Sequence, residues 1–400
     1  MYSNNTRFSS RRSSFNSKKS YGGFSKGRGR SGKQTIHPSK FIKAAKPVEY
    51  VEYTPKYNFE DFAIHPLIQK NIKEKGYNKP SAIQDQSIEH GLSGKDVVGI
   101  ANTGTGKTAA FALPMLTSIM HDKTKRALII APTRELAEQI ESECKIFAKG
   151  SGLFGALLIG GSPMMPQIRD LKSNPNIVIG TPGRIKDHVN RGTLKLNNFN
   201  IIILDEVDRM LDMGFIDDIR FLLDNINQDR QSFFFSATLD PKIKTLINTF
   251  SNDPVTISVK TGDTSDNVEQ NVIYYQHNSQ KLDKLHDILI DDSVGKTLVF
   301  DETKRGVEKL GQELIERGFK VDALHGDKSQ GQRARALRRF KNNEVNILVA
   351  TDVAARGIDV ADITHVINYS QPNSYDDYTH RIGRAGRAGN TGFALTFVSK

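Results

Sequence analysis

From about residue 57 to the end of the chain, short continuous apolar runs alternate with stretches of helical periodicity. Runs that are apolar at every position are typical of strands covered by helices on both faces, as in parallel sheets. A polar stretch near residues 251–270 interrupts this alternation, which then resumes. The pattern predicts an α/β fold with two parallel-sheet domains in tandem. The expected strands are Val97–Ile100, Ala127–Ala131, Ile177–Ile179, Ile201–Leu204, Phe233–Phe235, Thr297–Phe300, Asn346–Val349, His365–Asn368 and Ala394–Phe397.

The chain is expected to divide into four parts. Residues 1–48 form a basic tail, residues 49–252 the first domain, residues 253–270 a linker and residues 271–400 the second domain. The length of 400 residues agrees with two domains, because it exceeds what one hydrophobic core usually organises.

The positive charge of the chain lies in its N-terminal tail. The net charge is +11, yet residues 1–48 contain 12 Lys and Arg and no acidic residue, so residues 49–400 have 44 basic against 45 acidic side chains. This Ser-, Gly- and Arg-rich segment buries too little apolar surface to offset its ordering entropy, and we predict that it is disordered. It suits a solubility tail, a transit peptide or a sequence-tolerant nucleic-acid arm. We favour the arm because aromatic residues alternate with the charges.

Other features exclude whole classes of protein. Cys144 is the only cysteine, so neither a disulfide framework nor a cysteine-rich metal site is possible. No apolar run approaches the roughly 18 residues of a membrane span. Since the N-terminus also lacks a signal-peptide pattern, we expect a soluble cytoplasmic protein with no membrane partner.

A glycine-rich loop, Ala101-Asn-Thr-Gly-Thr-Gly-Lys107-Thr108, follows the first expected strand. In a strand–loop–helix setting, backbone N–H groups and a helix N-terminus converge on phosphates. Lys107 is expected on the β- and γ-phosphates and the Thr108 hydroxyl on Mg²⁺. Ala101 stands where the GxxxxGK(S/T) pattern usually begins with glycine, but the preceding strand supports a nucleotide site. The backbone cradle would be formed by Thr103, Gly104, Thr105 and Gly106.

Three acidic residues, Asp205, Glu206 and Asp208, directly follow the expected strand Ile201–Leu204. A helix N-terminus favours one or two acidic residues, but three after a buried strand indicate catalysis. One carboxylate would hold Mg²⁺ through its waters, and another would orient or deprotonate the attacking water. Asp205 and Glu206 suit these two roles.

The segment His380-Arg381-Ile-Gly-Arg384-Ala-Gly-Arg387 places three arginines at a spacing of three among glycines. Phosphoryl transfer needs positive charge on the developing oxyanion. The second domain has no phosphate loop of its own, so we expect its arginines to reach a nucleotide held by the first domain. Hydrolysis then requires the two domains to close.

Further motifs complete an ordered series. They are Phe59, Gly76-Tyr77, Pro80–Gln84, Ala101–Thr108, Pro132–Ala137, Gly160-Gly161, Thr181–Arg184, Asp205–Asp208, Ser236–Thr238, His325–Asp327, Gln330 with Arg333, Ala350–Asp352, Arg356–Asp359 and His380–Arg387. Over roughly residues 57–400 the chain therefore resembles the DEAD-box RNA helicases of superfamily 2, and most of all the bacterial members. The resemblance implies two RecA-like domains.

The resemblance also implies roles for residues that the patterns alone leave unassigned. Gln84 would read the adenine edge, Phe59 would pack near the base and Asp359 would contact the ribose. The arginine fingers would be Arg384 and Arg387. Coupling between the ATP and RNA sites would involve Asp208, Ser236, Thr238 and His380. Contacts to the RNA backbone would come from Thr133, Arg134, Gly161, Thr181, Gly183, Arg184, Gln330, Arg333 and Thr351.

The chain departs from the family pattern in two places. Val207 replaces the alanine of the name-giving tetrapeptide, which changes local packing but no charged group. The sequence also ends right after an expected strand, where the family usually adds a closing helix, so we expect a second domain shortened at its end.

The expected activity is that of an ATP-dependent RNA helicase, with ATP and Mg²⁺ as cofactors. It would hydrolyse ATP in an RNA-stimulated manner and locally unwind short RNA duplexes or remodel RNA–protein complexes. Proteins of ribosome assembly or RNA decay would be its partners. Two alternatives are an RNA chaperone or annealing protein that acts through the basic tail, and a DNA-acting translocase. Deletion of the tail distinguishes a chaperone, which would lose its activity, from a helicase, which would keep RNA-stimulated ATP hydrolysis. Comparing the stimulation of ATP hydrolysis by RNA and by DNA of equal length distinguishes a helicase from a DNA translocase.

Overall fold

The computed structural model describes residues 36–45, 53–102, 104–259, 266–355, 358, 360, 362–386 and 391–400. The strands in these residues are β1 Val97–Ala101, β2 Ala127–Ile130, β3 Gly155–Leu158, β4 Ile177–Gly180, β5 Ile201–Leu204, β6 Gln231–Ser236, β7 Val255–Val259, β8 Val268–Tyr275, β9 Thr297–Phe300, β10 Val321–Leu324, β11 Ile347–Ala350, β12 His365–Asn368 and β13 Gly392–Ser399.

The α-helices of the described residues lie between these strands. They are α1 Pro66–Glu74, α2 Ala82–Leu92, α3 Lys107–His121, α4 Arg134–Phe147, α5 Met164–Lys172, α6 Pro182–Asn190, α7 Val207–Asp212, α8 Ile216–Asn225, α9 Pro241–Phe250, α10 Asn278–Leu289, α11 Lys304–Glu316, α12 Gln330–Lys341, α13 Asp352–Ala355 and α14 Tyr375–Ile382. None of them has both the length and the apolar character needed to cross a lipid bilayer.

The first sheet contains seven parallel strands in the order β3-β4-β2-β5-β6-β1-β7. Consecutive side chains of β5 enter opposite cores: Ile201 and Ile203 lie in one hydrophobic cluster, Ile202 and Leu204 in the other. Because both faces are covered by helices, every position of the strand is apolar. The prediction of a parallel sheet from continuous apolar runs is confirmed.

The second sheet contains six parallel strands in the order β10-β11-β9-β12-β13-β8. Its central strand β9 repeats the two-faced pattern, with Leu298 and Phe300 in one core and Val299 in the other. The fold is therefore two α/β parallel-sheet domains in tandem, as the sequence predicts.

The interval 253–270, expected as a linker, contains an edge strand of each sheet. β7 pairs with β1 in the first sheet, and β8 pairs with β13 in the second. Edge strands are partly exposed and so contain polar residues, as in Val255-Thr-Ile-Ser-Val259. Apolarity alone therefore does not reveal them. Residues 260–265 lie outside the described part of the chain.

The expected disordered tail, residues 1–48, requires a correction. Residues 36–45 are ordered and pack against the second domain, where Phe41 is fully buried. A 3₁₀-helix spans Pro38–Phe41, and Lys43 pairs with Gln270 of β8. The polar composition of the segment conceals one large apolar anchor. Residues 1–35 lie outside the description.

A buried carboxylate holds the segment before α1 in place. Asp85, on α2, accepts hydrogen bonds from the Tyr53 hydroxyl at 2.6 Å and from the backbone N–H groups of Lys56 at 2.8 Å and Tyr57 at 3.0 Å. Only 4% of Asp85 is exposed. Removing an acceptor that satisfies three donors leaves them without a partner, which is costly where water is excluded.

We expect Asp85→Ala to lower the free energy of unfolding by about 2–4 kcal/mol, because three donors lose one buried acceptor. Urea unfolding followed by circular dichroism measures the change. Asp122→Ala is the matched control, since Asp122 also accepts two hydrogen bonds, from Thr124, but in an exposed turn. We expect no measurable change there. If both variants lost the same free energy of unfolding, the stabilising role of Asp85 as a buried acceptor would be refuted.

Candidate active site and nucleic-acid interface

The phosphate loop joins the end of β1 to the start of α3. Gly104 and Gly106 have φ angles of +80° and +91°, the left-handed region that favours glycine. Lys107 is 6% exposed, and its Nζ donates to the carbonyl of Ala101 at 3.0 Å. The loop therefore encloses an ammonium group at a helix N-terminus, which is an anion site. Thr103 lies outside the described residues.

The first turn of α2 is bound directly to this loop. The Ser81 backbone N–H donates to Gln84 Oε1 at 2.9 Å, and the Ser81 hydroxyl donates to the carbonyl of Thr105 at 2.7 Å. Gln84 Nε2 donates to the carbonyl of Gly106 at 3.0 Å. A Cβ at Gly106 would collide with this amide, so the loop position requires glycine. Gln84 thus supports the phosphate loop, and its adenine contact stays a prediction.

Phe59 lies in the core of the first domain. It is 5% exposed, and its ring packs edge-on against Tyr77 at 5.8 Å between centroids. It belongs to the same hydrophobic cluster as residues of α2 and α3. Its packing near a bound base stays a prediction, because its described contacts are to protein.

Two carboxylates follow β5 at the same edge of the sheet as the phosphate loop. Asp205 is 2% exposed, and burial raises its pKa to about 6 against the opposing effect of Lys107. Glu206 has a φ angle of +53° and forms an ion pair with Arg209. Burial acts to raise the pKa of Glu206, but positive charges outweigh it and the pKa is lowered. The pKa of Asp205 is thus raised, whereas that of the neighbouring Glu206 is lowered.

One of the charges acting on Glu206 comes from the second domain. The guanidinium groups of Arg209 and Arg384, together with Lys107, lower the pKa of Glu206. Arg384 is 4% exposed and donates to the carbonyl of Ile358 at 3.0 Å. An arginine predicted as a finger is therefore within electrostatic range of the carboxylate predicted to orient water.

The Arg381 guanidinium, unlike that of Arg384, is paired with a carboxylate of its own domain in the described contacts. It forms a fork with Asp352 at 2.5 and 2.8 Å, and Nη1 donates to Asn368 Oδ1 at 3.2 Å and to the Ser370 carbonyl at 2.7 Å. His380 lines a small cavity beside it. The spacing of three thus places arginines in unlike roles. Arg387 and Asp359 lie outside the described residues.

Asp208 connects the acidic segment to the end of β6. Its Oδ2 accepts hydrogen bonds from the backbone N–H groups of Ala237 at 2.9 Å and Thr238 at 3.1 Å, and from the Thr238 hydroxyl at 3.4 Å. The Asp208 backbone N–H donates to Ser236 Oγ at 3.3 Å. The structure therefore brings together three of the four residues predicted to couple the two sites.

The predicted RNA contacts of the first domain lie beyond the carboxyl ends of β2, β3 and β4. Thr133 caps α4, accepting from the Leu136 N–H at 3.3 Å, and Thr181 precedes α6. Arg134 lies over Gly160 and Gly161, and a Cβ at Gly161 would collide with its guanidinium. Gly183 lies in the first turn of α6, and Arg184 Nη1 donates to the Ser162 carbonyl at 3.1 Å.

Strand order separates these residues from the nucleotide residues. β3, β4 and β2 are neighbours at one end of the sheet, while β5, β6 and β1 follow one another beside them. Carboxyl ends of parallel strands share one edge. The sheet edge is thus divided into an expected RNA half and an expected nucleotide half, and Asp208 and Thr238 lie in the nucleotide half.

In the second domain, Gln330 and Arg333 contact the first domain. Arg333 Nε and Nη2 donate to Glu135 Oε1 at 2.7 and 2.6 Å, and both residues are at most 7% exposed. Gln330 Nε2 donates to Glu138 Oε1 at 2.9 Å. Burial raises the pKa of Glu138, an effect that this hydrogen bond opposes. Thr351, which follows β11, is 8% exposed.

Sequence reasoning missed Glu135 and Glu138 as functional residues. Glu135 lies in the first turn of α4, where an acidic residue suits the helix dipole and attracts no further attention. The available signal was their position inside the quoted motif Pro132–Ala137 and directly after it. Nothing in the sequence indicates that both glutamates meet α12.

The fold and this site are those of a nucleoside triphosphatase with two α/β domains and a phosphate loop in the first. The family profile described as DEAD/DEAH box helicase matches residues 81–246, and the helicase conserved C-terminal domain matches residues 280–389. The chain is 44% identical over 343 residues to the DEAD-box ATP-dependent RNA helicase CshA of Bacillus subtilis, which spans 85% of this chain and 69% of that protein. The chain belongs to the DEAD-box family of ATP-dependent RNA helicases.

Solved structures agree with this assignment. Dbp5 of S. cerevisiae bound to RNA and ADP BeF3 is 29% identical, with a TM-score of 0.75 over 86% of this chain and 89% of Dbp5. A DEAD box protein from Methanococcus jannaschii is 41% identical, with a TM-score of 0.50 over 86% of this chain and 93% of that protein. The expected RecA-like fold and family are confirmed.

We expect Asp205→Asn to stabilise the protein without nucleotide or Mg²⁺ at pH 7.5 by about 1–3 kcal/mol. Because the folded pKa of Asp205, about 6, lies above its unfolded value, this group contributes less stability as pH rises from 4 to 6. The difference between variant and parent should therefore be about half of its full size at pH 5 and complete above pH 7.

Urea unfolding at pH 5, 6, 7 and 8 measures this difference. Asp224→Asn, a substitution at an exposed position of α8, is the control and should match the parent at every pH. A difference in unfolding free energy that does not change with pH would contradict the raised pKa of Asp205. So would an Asp205→Asn protein that is less stable than the parent at pH 7.5.

Proposed function

We propose that this helicase hydrolyses ATP in a pocket completed by both domains and thereby couples ATP turnover to RNA remodelling. The observation that supports this best is the joint effect on Glu206, whose pKa is lowered first by Arg209, then by Lys107 of the phosphate loop and by Arg384 of the second domain. An ATP γ-phosphate bound by Lys107 would lie near the same carboxylate and the same arginine. Turnover then depends on closure of the domains.

In this mechanism the protein groups position the reactants and stabilise charge. The backbone of Gly104–Gly106 and the Lys107 ammonium hold the phosphates. Glu206, kept ionised by its cationic neighbours, orients or deprotonates the attacking water. Arg384, with Arg387 by family resemblance, stabilises charge on the transferred phosphoryl group. By family resemblance, Gln84 would contact the adenine edge and Phe59 would pack near the base. Asp359 would contact the ribose.

Mg²⁺ would be held by Thr108 and Asp205, largely through water. The described residues contain no cluster of three or more His, Cys, Asp or Glu side chains that could hold a metal ion. That composition fits Mg²⁺, which keeps several waters and is usually bound through one or two protein groups plus substrate phosphates. When bound, it would neutralise phosphate charge. When it is ionised, the buried Asp205 carboxylate is suited to hold Mg²⁺.

RNA would bind along the RNA half of the first sheet edge and continue onto the second domain. Hydroxyls, small residues and guanidinium groups at these positions suit phosphate and 2′-OH contacts, which read shape rather than sequence. The relative bound to RNA and ADP BeF3 has a higher TM-score, 0.75, than the more identical M. jannaschii protein, 0.50. This likeness supports an arrangement of the two domains that admits both ligands.

Closure would bring the two halves of the RNA site together while it completes the ATP pocket. The bonds from Arg333 to Glu135 and from Gln330 to Glu138 join α12 to α4 beside the expected RNA contacts. ATP and RNA would each favour the closed arrangement, so each would raise the affinity of the other. A strand bent in that arrangement could no longer stay paired, which gives local unwinding. A cytoplasmic location and partners from ribosome assembly or RNA decay stay predictions.

We expect Lys107→Ala to lose ATP binding and turnover together, whereas Arg384→Ala retains ATP affinity within about threefold and loses RNA-stimulated turnover by about 10³-fold or more. The difference follows because the lysine binds ground-state phosphates, while a finger acts on the transition state. A fluorescent ATP analogue measures binding, and phosphate release measures turnover.

The matched control is Arg305→Ala, which removes an exposed arginine of the second domain on α11. It should bind ATP and turn it over like the parent. Turnover by Arg384→Ala within fivefold of the parent would rule out the shared pocket.

A further inference from the structure

Residues 36–45, named here the strap, precede the first domain in sequence but pack on the second. The Lys43 N–H donates to the Gln270 carbonyl at 3.0 Å, and the Gln270 N–H donates to the Lys43 carbonyl at 2.8 Å. Gln270 belongs to β8, the last strand in the order of the second sheet. The strap therefore pairs with the free edge of that strand.

The strap is anchored by one aromatic side chain. Phe41 is fully buried, and its ring lies 4.8 Å, centroid to centroid, from that of Tyr378 on α14. It belongs to the same core cluster as Val268 of β8. The Tyr378 hydroxyl donates to Gln270 Oε1 at 2.9 Å, so the side chains that receive Phe41 are themselves fixed. By contrast, the neighbouring Ile42 is 54% exposed.

Charged groups hold the strap on either side of Phe41. Lys43 Nζ lies 2.6 Å from Asp266 Oδ1, and Lys40 Nζ lies 5.9 Å from the centre of the Tyr375 ring. The helix that provides Tyr375 and Tyr378 also includes His380 and ends two residues before Arg384. The strap is thus seated on the element that leads to the expected finger.

The chain after the strap returns to the first domain within a short distance. Tyr53 is bound there to Asp85 at 2.6 Å. From Ala45 to Tyr53 there are eight Cα steps, which can span at most about 29 Å. While the strap is docked, Ala45 and Tyr53 cannot separate beyond this length, so the strap limits how far the domains can move apart on this side.

We propose that the groove between β8 and α14 is a docking site for the chain's own strap, and that docking favours the closed arrangement of the domains. The proposal rests on the proposed function for its consequence, since closure there completes the ATP pocket and the RNA site. A second connection besides residues 260–265 raises the effective concentration of one domain at the other. Docking therefore increases the affinity for RNA in the presence of ATP.

The test compares Phe41→Ala with Ile42→Ala, adjacent positions of which only the first is buried. Phe41→Ala should raise the RNA concentration for half-maximal ATPase stimulation about tenfold, with turnover at saturating RNA within twofold of the parent. Ile42→Ala should match the parent in both. Equal behaviour of the two variants would overturn the proposal.

A second variant separates tethering from loss of folding. Twenty Gly and Ser residues inserted between Ala45 and Tyr53 leave Phe41 docked but relax the connection, and effective concentration falls roughly as the −3/2 power of its length. We expect the insertion variant to have the same melting temperature as the parent. Its RNA concentration for half-maximal ATPase stimulation should be raised about fivefold. If the insertion leaves that concentration unchanged, the tether has no role.

A measurement without ligands keeps this proposal distinct from the proposed function. Fluorophores at Lys172→Cys and Asp292→Cys, both at exposed positions and on different domains, report the distance between the domains. Phe41→Ala and the insertion should shift the distribution to longer distances even if RNA never stimulates ATP hydrolysis. An unshifted distribution in both would overturn the proposal, as would dependence on protein concentration, which would indicate a strap donated by a second copy.

Discussion

The proposed closure of the two domains would depend first on the buried ion pair between Glu135 of α4 and Arg333 of α12. Both side chains are at most 7% exposed, so each charge is tolerable there only in the presence of the other. Desolvation offsets most of the Coulombic attraction of such a pair, so we expect it to specify one register of closure rather than to add much stability. That register is the one in which Arg384 acts on Glu206.

The division of one sheet edge would let ATP and RNA, the two expected ligands, act on a single closure of the domains. Nucleotide residues follow β1 and β5, expected RNA residues follow β2, β3 and β4, and the two groups are neighbours because β5 lies beside β2. Asp208 connects α7 to the end of β6 through backbone N–H groups. Because one carboxylate oxygen accepts from two successive backbone N–H groups, a shift of α7 would move the end of β6, and the reverse.

Buried strands and the motifs after them were predictable from the sequence, because full burial on both faces requires apolar residues such as Ile201–Leu204 at every position. The edge strands β7 and β8 were not, since exposure allows polar residues there. The strap was missed for a similar reason: one anchor, Phe41, lies in a basic, polar segment. The position of Glu135 and Glu138 in and directly after a motif marks them only weakly, because pairing across domains depends on tertiary arrangement that local sequence does not encode.

A double-mutant cycle on Glu135 and Arg333 shows whether this ion pair sets the closure of the two domains. Glu135→Gln, Arg333→Gln and the double variant are compared by the RNA concentration for half-maximal ATPase stimulation. If the pair sets closure, the double variant is no worse than the more affected single variant, and the coupling free energy is about 1–3 kcal/mol. If Arg333 acts only on RNA, the effects of the two single substitutions add to within about 0.5 kcal/mol. That result would contradict a role of the ion pair in closure.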